Sequence, residues 1–160
     1  MALEARKTLQ DCEIALVELE KHKRGNQAWR VQWVACLALL RSVGNVLRNV
    51  DGKADARRRA AIDAAWSGWK KKETGHAIFS DFIKAERDNV LKEYQFGVVP
   101  EPINVVVGGV PVVVNGNQVV TAEEYFRLTL KRFENRDGRE VIREAINWWK
   151  AELDRIEKQA

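Results

Sequence analysis

The chain has 160 residues, of which 46% are hydrophobic and 31% charged, the balance of one globular domain rather than of a disordered or fibrous chain. A domain of this size buries about 70% of the surface its unfolded form exposes, so it needs neither disulfides nor a structural metal. The longest apolar runs, Trp33 to Leu40 and Val105 to Val114, are well short of the ~20 residues that a membrane span requires. The first residues, Met1 to Lys7, lack the basic and apolar regions of a secretory signal, so a cytoplasmic protein without membrane contact is expected.

The sequence pI is about 9.2, with 27 basic residues against 23 acidic. The basic excess is N-terminal: residues 1–100 carry 18 basic and 13 acidic side chains, and residues 101–160 carry 9 and 10. Most of it sits between positions 53 and 72, where Lys53, Arg57, Arg58, Arg59, Lys70, Lys71 and Lys72 face only Asp55 and Asp63. Such a balance permits a polyanionic partner without demanding one. Cys12 and Cys36 stand on apolar helical stretches, with no second cysteine or histidine at metal-ligand spacing, and are expected as reduced core thiols.

In chain order, Leu9, Cys12, Leu16 and Leu19 recur at helical spacing within residues 2–22, predicting an amphipathic helix that stops at Gly25-Asn26. Residues 27–50 are apolar nearly all round, as a helix at the centre of a bundle is. Asp51-Gly52 breaks that run, and an alanine-rich third helix carrying Ile62, Trp66 and Trp69 extends to about Lys72. A fourth helix runs from near His76 to about Phe96, with Phe79, Ile83, Val90 and Tyr94 on its buried stripe. Past Pro100 and Pro102 the pattern becomes extended. Asn115-Gly116 between valine-rich runs predicts a β-hairpin, and Pro111 confines its strand to an edge or a loose third arm. Thr121 with Glu124 reads as a capping box opening a fifth helix through Tyr125, Phe126, Leu128 and Phe133. A last helix opened by Asp137 places Ile142, Ile146, Trp149, Leu153 and Ile156 in one stripe. No internal repeat and no low-complexity tract is expected. The fold class is mainly α: an up-and-down helical bundle in one domain, with a four-helix bundle over residues 1–97, a β-hairpin inserted at 98–121, and C-terminal helices over 121–160.

The chemistry centres on the fourth helix. At about 100° per residue, Glu86 and Arg87 interrupt or flank its buried stripe, where charges need partners, whereas Asp88 and Lys92 fall on the opposite face as an i,i+4 pair. The segment Phe82-Ile-Lys-Ala-Glu-Arg87-Asp-Asn-Val-Leu-Lys92-Glu-Tyr94 resembles the signature helix of the HEPN superfamily, the higher eukaryotes and prokaryotes nucleotide-binding domain, whose motif is arginine, a polar residue, and histidine spaced R-x4 to 6-H. The similarity covers these thirteen residues and the helical order of residues 2–96. It implies a helical bundle, commonly homodimeric, and for many members metal-independent ribonuclease activity at a cleft shared by two subunits. Arg87 and Asp88 fit the motif, and Lys92 stands where its shortest form has histidine.

That departure bears on catalysis. Attack of a ribose 2′-hydroxyl on the neighbouring phosphate needs a base near neutral pH and a cation to stabilise the phosphorane; arginine suits the second role. Histidine, with a pKa near 6.5, suits the first, whereas an ordinary lysine leaves only about 1 side chain in 2,500 neutral at pH 7. His76, 11 residues before Arg87, and His22, at the end of the first helix, are expected as surface or helix-end residues.

The basic runs Arg57-Arg58-Arg59 and Lys70-Lys71-Lys72, with Trp66 and Trp69 between, fit either a phosphate backbone with aromatic support or a solvated helix whose tryptophans are core. Trp148-Trp149 reads as a core residue beside an interface residue. No phosphate-binding glycine loop, nucleophile elbow or metal cluster is apparent. The sequence therefore points to a homodimeric HEPN-like binding or interaction protein without cofactor or metal. It is expected to contact RNA or another phosphate-bearing partner at a dimer groove and to be non-catalytic. Arg87 is the anion contact, Asp88 orients it, Lys92 adds charge, and Arg57, Arg58, Lys70 and Lys71 extend the basic surface. The hairpin and the last helix are the candidate dimer surfaces. The alternatives are a metal-independent endoribonuclease in which Lys92 or a partner residue replaces histidine, and a structural or assembly protein in which Glu86 and Arg87 pair internally.

Overall fold

The structure, a computed structural model, describes residues 2–71 and 74–160, so Lys72 of the second basic run lies outside the described residues. Helices α1 (Ala5–Lys21), α2 (Gln27–Asn49), α3 (Ala56–Lys70) and α5 (Gly138–Gln159) form a mainly helical bundle, completed by a fourth helix. Each of the last three begins where a short polar side chain accepts a backbone N–H: Asn26 from Trp29, Asp55 from Arg58, and Asp137 from Arg139. α1 is capped from a distance. The Asp51 carboxylate, buried in the break after α2, accepts the N–H groups of Glu4 and Ala5 at 2.8 and 3.0 Å, matching negative charge to a helix N-terminus.

As its all-round apolar pattern implies, α2 lies at the centre, touching α1, α3, the fourth helix and α5. Its Trp29, Trp33, Cys36, Leu37, Leu40, Val43 and Leu47 are buried. Cys12 and Cys36 are both buried free thiols, and burial pushes the Cys12 thiol up to about 12. At one end of the core Trp69 packs against Trp66, Phe79, Trp148 and Trp149, with ring centroids 5.1 to 5.7 Å apart. The Trp69 indole donates to Glu152 at 2.6 Å and that of Trp149 to the Leu40 carbonyl at 2.9 Å, so both bury their polar edge satisfied. In α5, Ile142, Ile146, Trp149, Leu153 and Ile156 are buried within this core. That seam is spent inside the protomer, and the expectation of a dimer surface on the last helix is corrected.

The fourth helix departs from its expected wheel. A single α turn, α4 (Ala85–Asp88), lies between two π segments, Phe79–Lys84 and Asn89–Glu93. Each π segment bonds i to i+5 and slows the rotation of the buried stripe. Phe79, Phe82, Ile83, Glu86 and Val90 are buried, but Tyr94, expected on the stripe, is 66% exposed and ends the helix in the left-handed region at φ 52°.

Between this helix and α5 lies antiparallel structure: β1 (Val98–Asn104), β2 (Val106–Val107), β3 (Val110–Pro111), β4 (Val113–Val114), β5 (Asn117–Gln118) and β6 (Val120–Leu128). β1 pairs with β6, β2 with β3, and β4 with β5. The extended region thus reaches Leu128, and the helix expected from the Thr121 capping box is instead a strand, followed by a 3-10 turn, Lys131–Phe133, and one C-terminal helix. The reason is tertiary. Val98 to Pro102 offer Glu124 to Leu128 a strand partner, and strand alternation buries Phe126 and Leu128 together. Phe126 then stacks on Trp29 at 4.3 Å between centroids and lies under the Arg139 guanidinium.

Pairing also reveals a repeat that the expectation of none had missed. Val105, Val112 and Val119 stand seven residues apart, and each N–H bonds the next in a ring: Val112 donates to Val105, Val119 to Val112, and Val105 to Val119, at 2.8 to 2.9 Å. Three hairpin arms radiate from this ring, through the pairs Val106–Pro111, Val113–Gln118 and Asn104–Val120. Two arms close on Gly108-Gly109 and Asn115-Gly116, all four residues at positive φ, the two-residue turn that strand twist favours. In such a turn the flanking pair, Val107–Val110, takes the hydrogen bonds and the next pair, Val106–Pro111, does not, so the missing N–H of Pro111 costs nothing.

Candidate functional site

Glu86 and Arg87, adjacent in sequence, go in opposite directions. Glu86 is fully buried and accepts the Gly97 N–H at 2.9 and 3.1 Å, the Trp33 indole N–H at 3.1 Å and the Asn89 amide at 3.5 Å. Burial pushes its carboxyl above the usual range, against the pull of those donors. None of its hydrogen-bond partners is Arg87. Arg87 keeps a third of its side chain exposed and bonds the Asp88 carboxylate at 2.7 Å. The internal Glu86–Arg87 pair expected of a purely structural protein is therefore not formed.

Asp88 joins two cations, holding Arg87 on one oxygen and Lys92 on the other at 3.2 Å. The Arg87 guanidinium above all, and then Lys92, keep the Asp88 carboxyl below its ordinary range. Asp88, expected to orient Arg87, thus bonds both cations at once. Lys92 is 64% exposed, without the burial that a lysine base requires.

Arg41, from α2, completes the group. It is half-buried, with its guanidinium 5.3 Å from the Trp66 ring centre and 5.4 Å from that of Phe79. Its buried Nη1 has no hydrogen-bond partner. Burial first, and then the charge of nearby Arg87, depress its pKa, with Asp88 opposing. Around the same Trp66 indole lie Arg48 at 5.2 Å and Lys70 at 6.0 Å. The fold thus brings Lys70, Arg41, Arg48, Arg87 and Lys92 to one region, in which Asp88 is the carboxylate bonded to both Arg87 and Lys92. Arg41 and Arg48 escaped the sequence reading, although a lone charge at position 41 within so apolar a stretch was a usable signal.

The other basic run is not part of this group. Arg57 and Arg58 start α3, whose 15 residues at about 1.5 Å each put roughly 20 Å between its ends. Arg57 donates to the Gln159 carbonyl beside the C-terminus, and Arg58 lines a cleft there with Arg6 and Glu157. Lys71 caps the far end of α3. His76 precedes the fourth helix and accepts the Trp148 indole N–H at 3.2 Å, while His22 caps the end of α1, so both are helix-end residues as expected. A cleft of about 580 Å³ lined by Gly75, Ile78, Phe133 and Trp148 omits Arg87, Asp88 and Lys92. The one arginine in it, Arg132, is paired with Asp81, so for an anion the charges around Arg87 outweigh this concavity. Among the described residues no group of three or more histidine, cysteine or acidic side chains is placed to hold a metal, and no helix is long and apolar enough to cross a membrane. No protein-family model matches the chain, and no curated protein or solved structure matches it.

Proposed function

We propose that the protein is an HEPN-like helical binding protein. On this reading it is a homodimer that holds RNA or another phosphate-bearing partner on the basic region around Arg87, without cleaving it. The observation that carries this reading is the unpartnered Nη1 of half-buried Arg41 beside Arg87. A guanidinium donor kept out of water with no acceptor costs free energy, and an incoming phosphate oxygen is the acceptor it lacks. Asp88 pre-orients Arg87 and Lys92, and Lys70 extends the charge. Arg57, Arg58 and Lys71 would serve only a longer nucleic acid crossing α3. The non-catalytic form is favoured over a ribonuclease because Lys92 is exposed and paired.

The test is binding of single-stranded RNA at several salt concentrations. Affinity that falls steeply with salt, and falls at least tenfold for Arg87→Ala and for Arg41→Met, is expected. Affinity indifferent to both substitutions rejects the site. Incubation with RNA in chelator distinguishes the ribonuclease alternative: cleavage lost with Arg87→Ala or Lys92→Ala would replace the non-catalytic reading.

A further inference from the structure

Among the described residues, which include all six tryptophans, both tyrosines and all five phenylalanines, Tyr94 is the one aromatic side chain left exposed. The others are buried or half-buried. Tyr94 also stands where tyrosine is unfavourable. It ends the fourth helix at φ 52° and ψ 35°, the left-handed position that glycine or asparagine ordinarily takes, and strained residues of this kind cluster at functional sites. Half-buried Phe96, packed against the core, meets the Tyr94 ring at 81° with centroids 5.2 Å apart. Phe96 in turn precedes Gly97, which Glu86 holds. The ring is thus braced against the chain as it folds back past the middle of the helix, yet the residue is 66% exposed. A perpendicular contact covers no more than one ring face, so a flat aromatic surface stays open. Lys92, two residues earlier, bonds Asp88, which holds Arg87. By the helical rise, Arg87 and Tyr94 are at most about 10 Å apart along the axis.

We propose that Tyr94 is a stacking platform for an unpaired base of a strand whose phosphates are held at Arg87 and Lys92. The inference rests on the proposed function and deepens it, narrowing the phosphate-bearing partner to a single strand. Cations alone recognise phosphates, which duplex, single strand and polyphosphate all offer. An open π face adds a second demand, because only a base that is not already stacked in a helix can lie on it, whatever its identity. The surroundings decide between a base and another protein. Apart from Leu91, 48% exposed, the exposed neighbours of Tyr94 in the chain are Lys92, Glu93 and Gln95. An aromatic anchor of a protein interface works inside a desolvated patch, which this polar rim does not supply. A nucleotide uses both the π face and the cations.

Fluorescence anisotropy of the full chain with single-stranded RNA, and with a strand of equal length that keeps the sugar–phosphate backbone but lacks bases, tests it. The wild type is expected to bind the RNA about tenfold more tightly than the abasic strand. Tyr94→Asn, which suits the left-handed backbone, weakens RNA about tenfold and leaves the abasic strand unchanged, which also shows that the Arg87 site is still folded. Tyr94→Phe keeps the wild-type preference. The slope of log affinity against log salt is the same in Tyr94→Asn as in the wild type and shallower by about one in Arg87→Ala. Equal binding of the two strands by the wild type, a Tyr94→Phe variant as weak as Tyr94→Asn, or duplex bound as tightly as single strand overturns the inference and leaves the Arg87 site standing. So does a Tyr94→Asn variant with intact RNA affinity and a lowered mass in sedimentation equilibrium, which would make Tyr94 a contact between copies. RNA binding indifferent to Arg87→Ala rejects the anion site itself, and the inference with it.

Discussion

Both carboxylate oxygens of Glu86 face the backbone N–H of Gly97, at 2.9 and 3.1 Å, tying the middle of the fourth helix to the residue that leads into β1. A Cβ at position 97 would stand 2.5 Å from Glu86 Oε2 and 2.9 Å from Leu130, so the approach requires glycine. This contact sends Glu86 inward and leaves Arg87, one residue on, at the surface.

Glu86→Ala strands the buried N–H groups of Gly97 and Trp33 and is expected to cost about 2–4 kcal/mol, measured by urea unfolding. Glu86→Gln keeps an acceptor and costs less. Because the folded carboxyl holds its proton above its ordinary value of 4.5, the folded state binds more protons than the unfolded one as pH rises from there. Stability therefore falls as pH rises from 4.5 through the folded value, and Glu86→Gln flattens that slope.

At Asp137 the sign reverses. Burial alone would raise its carboxyl, but the side-chain and backbone hydrogen bonds of Arg139 prevail and hold it below 3.8. Its contribution is complete above the unfolded value and is lost as pH falls through the folded one. Asp137→Ala removes the α5 cap and the bidentate pair with Arg139, and is expected to cost about 1–3 kcal/mol at pH 7 and less at pH 3.

Arg41 separates binding from folding. Arg41→Met keeps the packing on Trp66 and Phe79 and removes a half-buried, incompletely bonded charge. The melting temperature is expected to hold or rise while RNA affinity falls. A melting temperature lowered by more than 5 °C would mark Arg41 as structural.

Gly138 begins α5 against the Trp33 ring, where an added Cβ would lie 2.7 Å from the indole. Gly138→Ala is expected to destabilise by about 1–3 kcal/mol through displacement of that ring, seen as a shift in tryptophan emission together with a lower urea midpoint.

Periodicity and local polar signals were enough for α1, α2, α3 and α5. Leu9, Cys12, Leu16 and Leu19 specify a buried face, and Asn26, Asp55 and Asp137 satisfy N–H groups within their own helices. Asn115-Gly116 likewise needs only its own backbone freedom to turn. The Asp88–Lys92 pair, one helical turn apart, was legible for the same reason. What the tertiary structure decided is whatever depends on a partner distant in the chain. Thr121 to Leu128 had the capping residues of a helix, yet β1 was available to pair with it and Trp29 to stack on Phe126. Glu86 and Arg87 were indistinguishable as charges near an apolar stripe until Gly97 and Trp33 claimed one of them and the π segments turned the other outward. Arg41 reached Arg87 only because α2 packs beside the fourth helix. A local pattern measures what a segment does against water, and the choice between two such states belongs to contacts whose free energy exists only once the chain has folded.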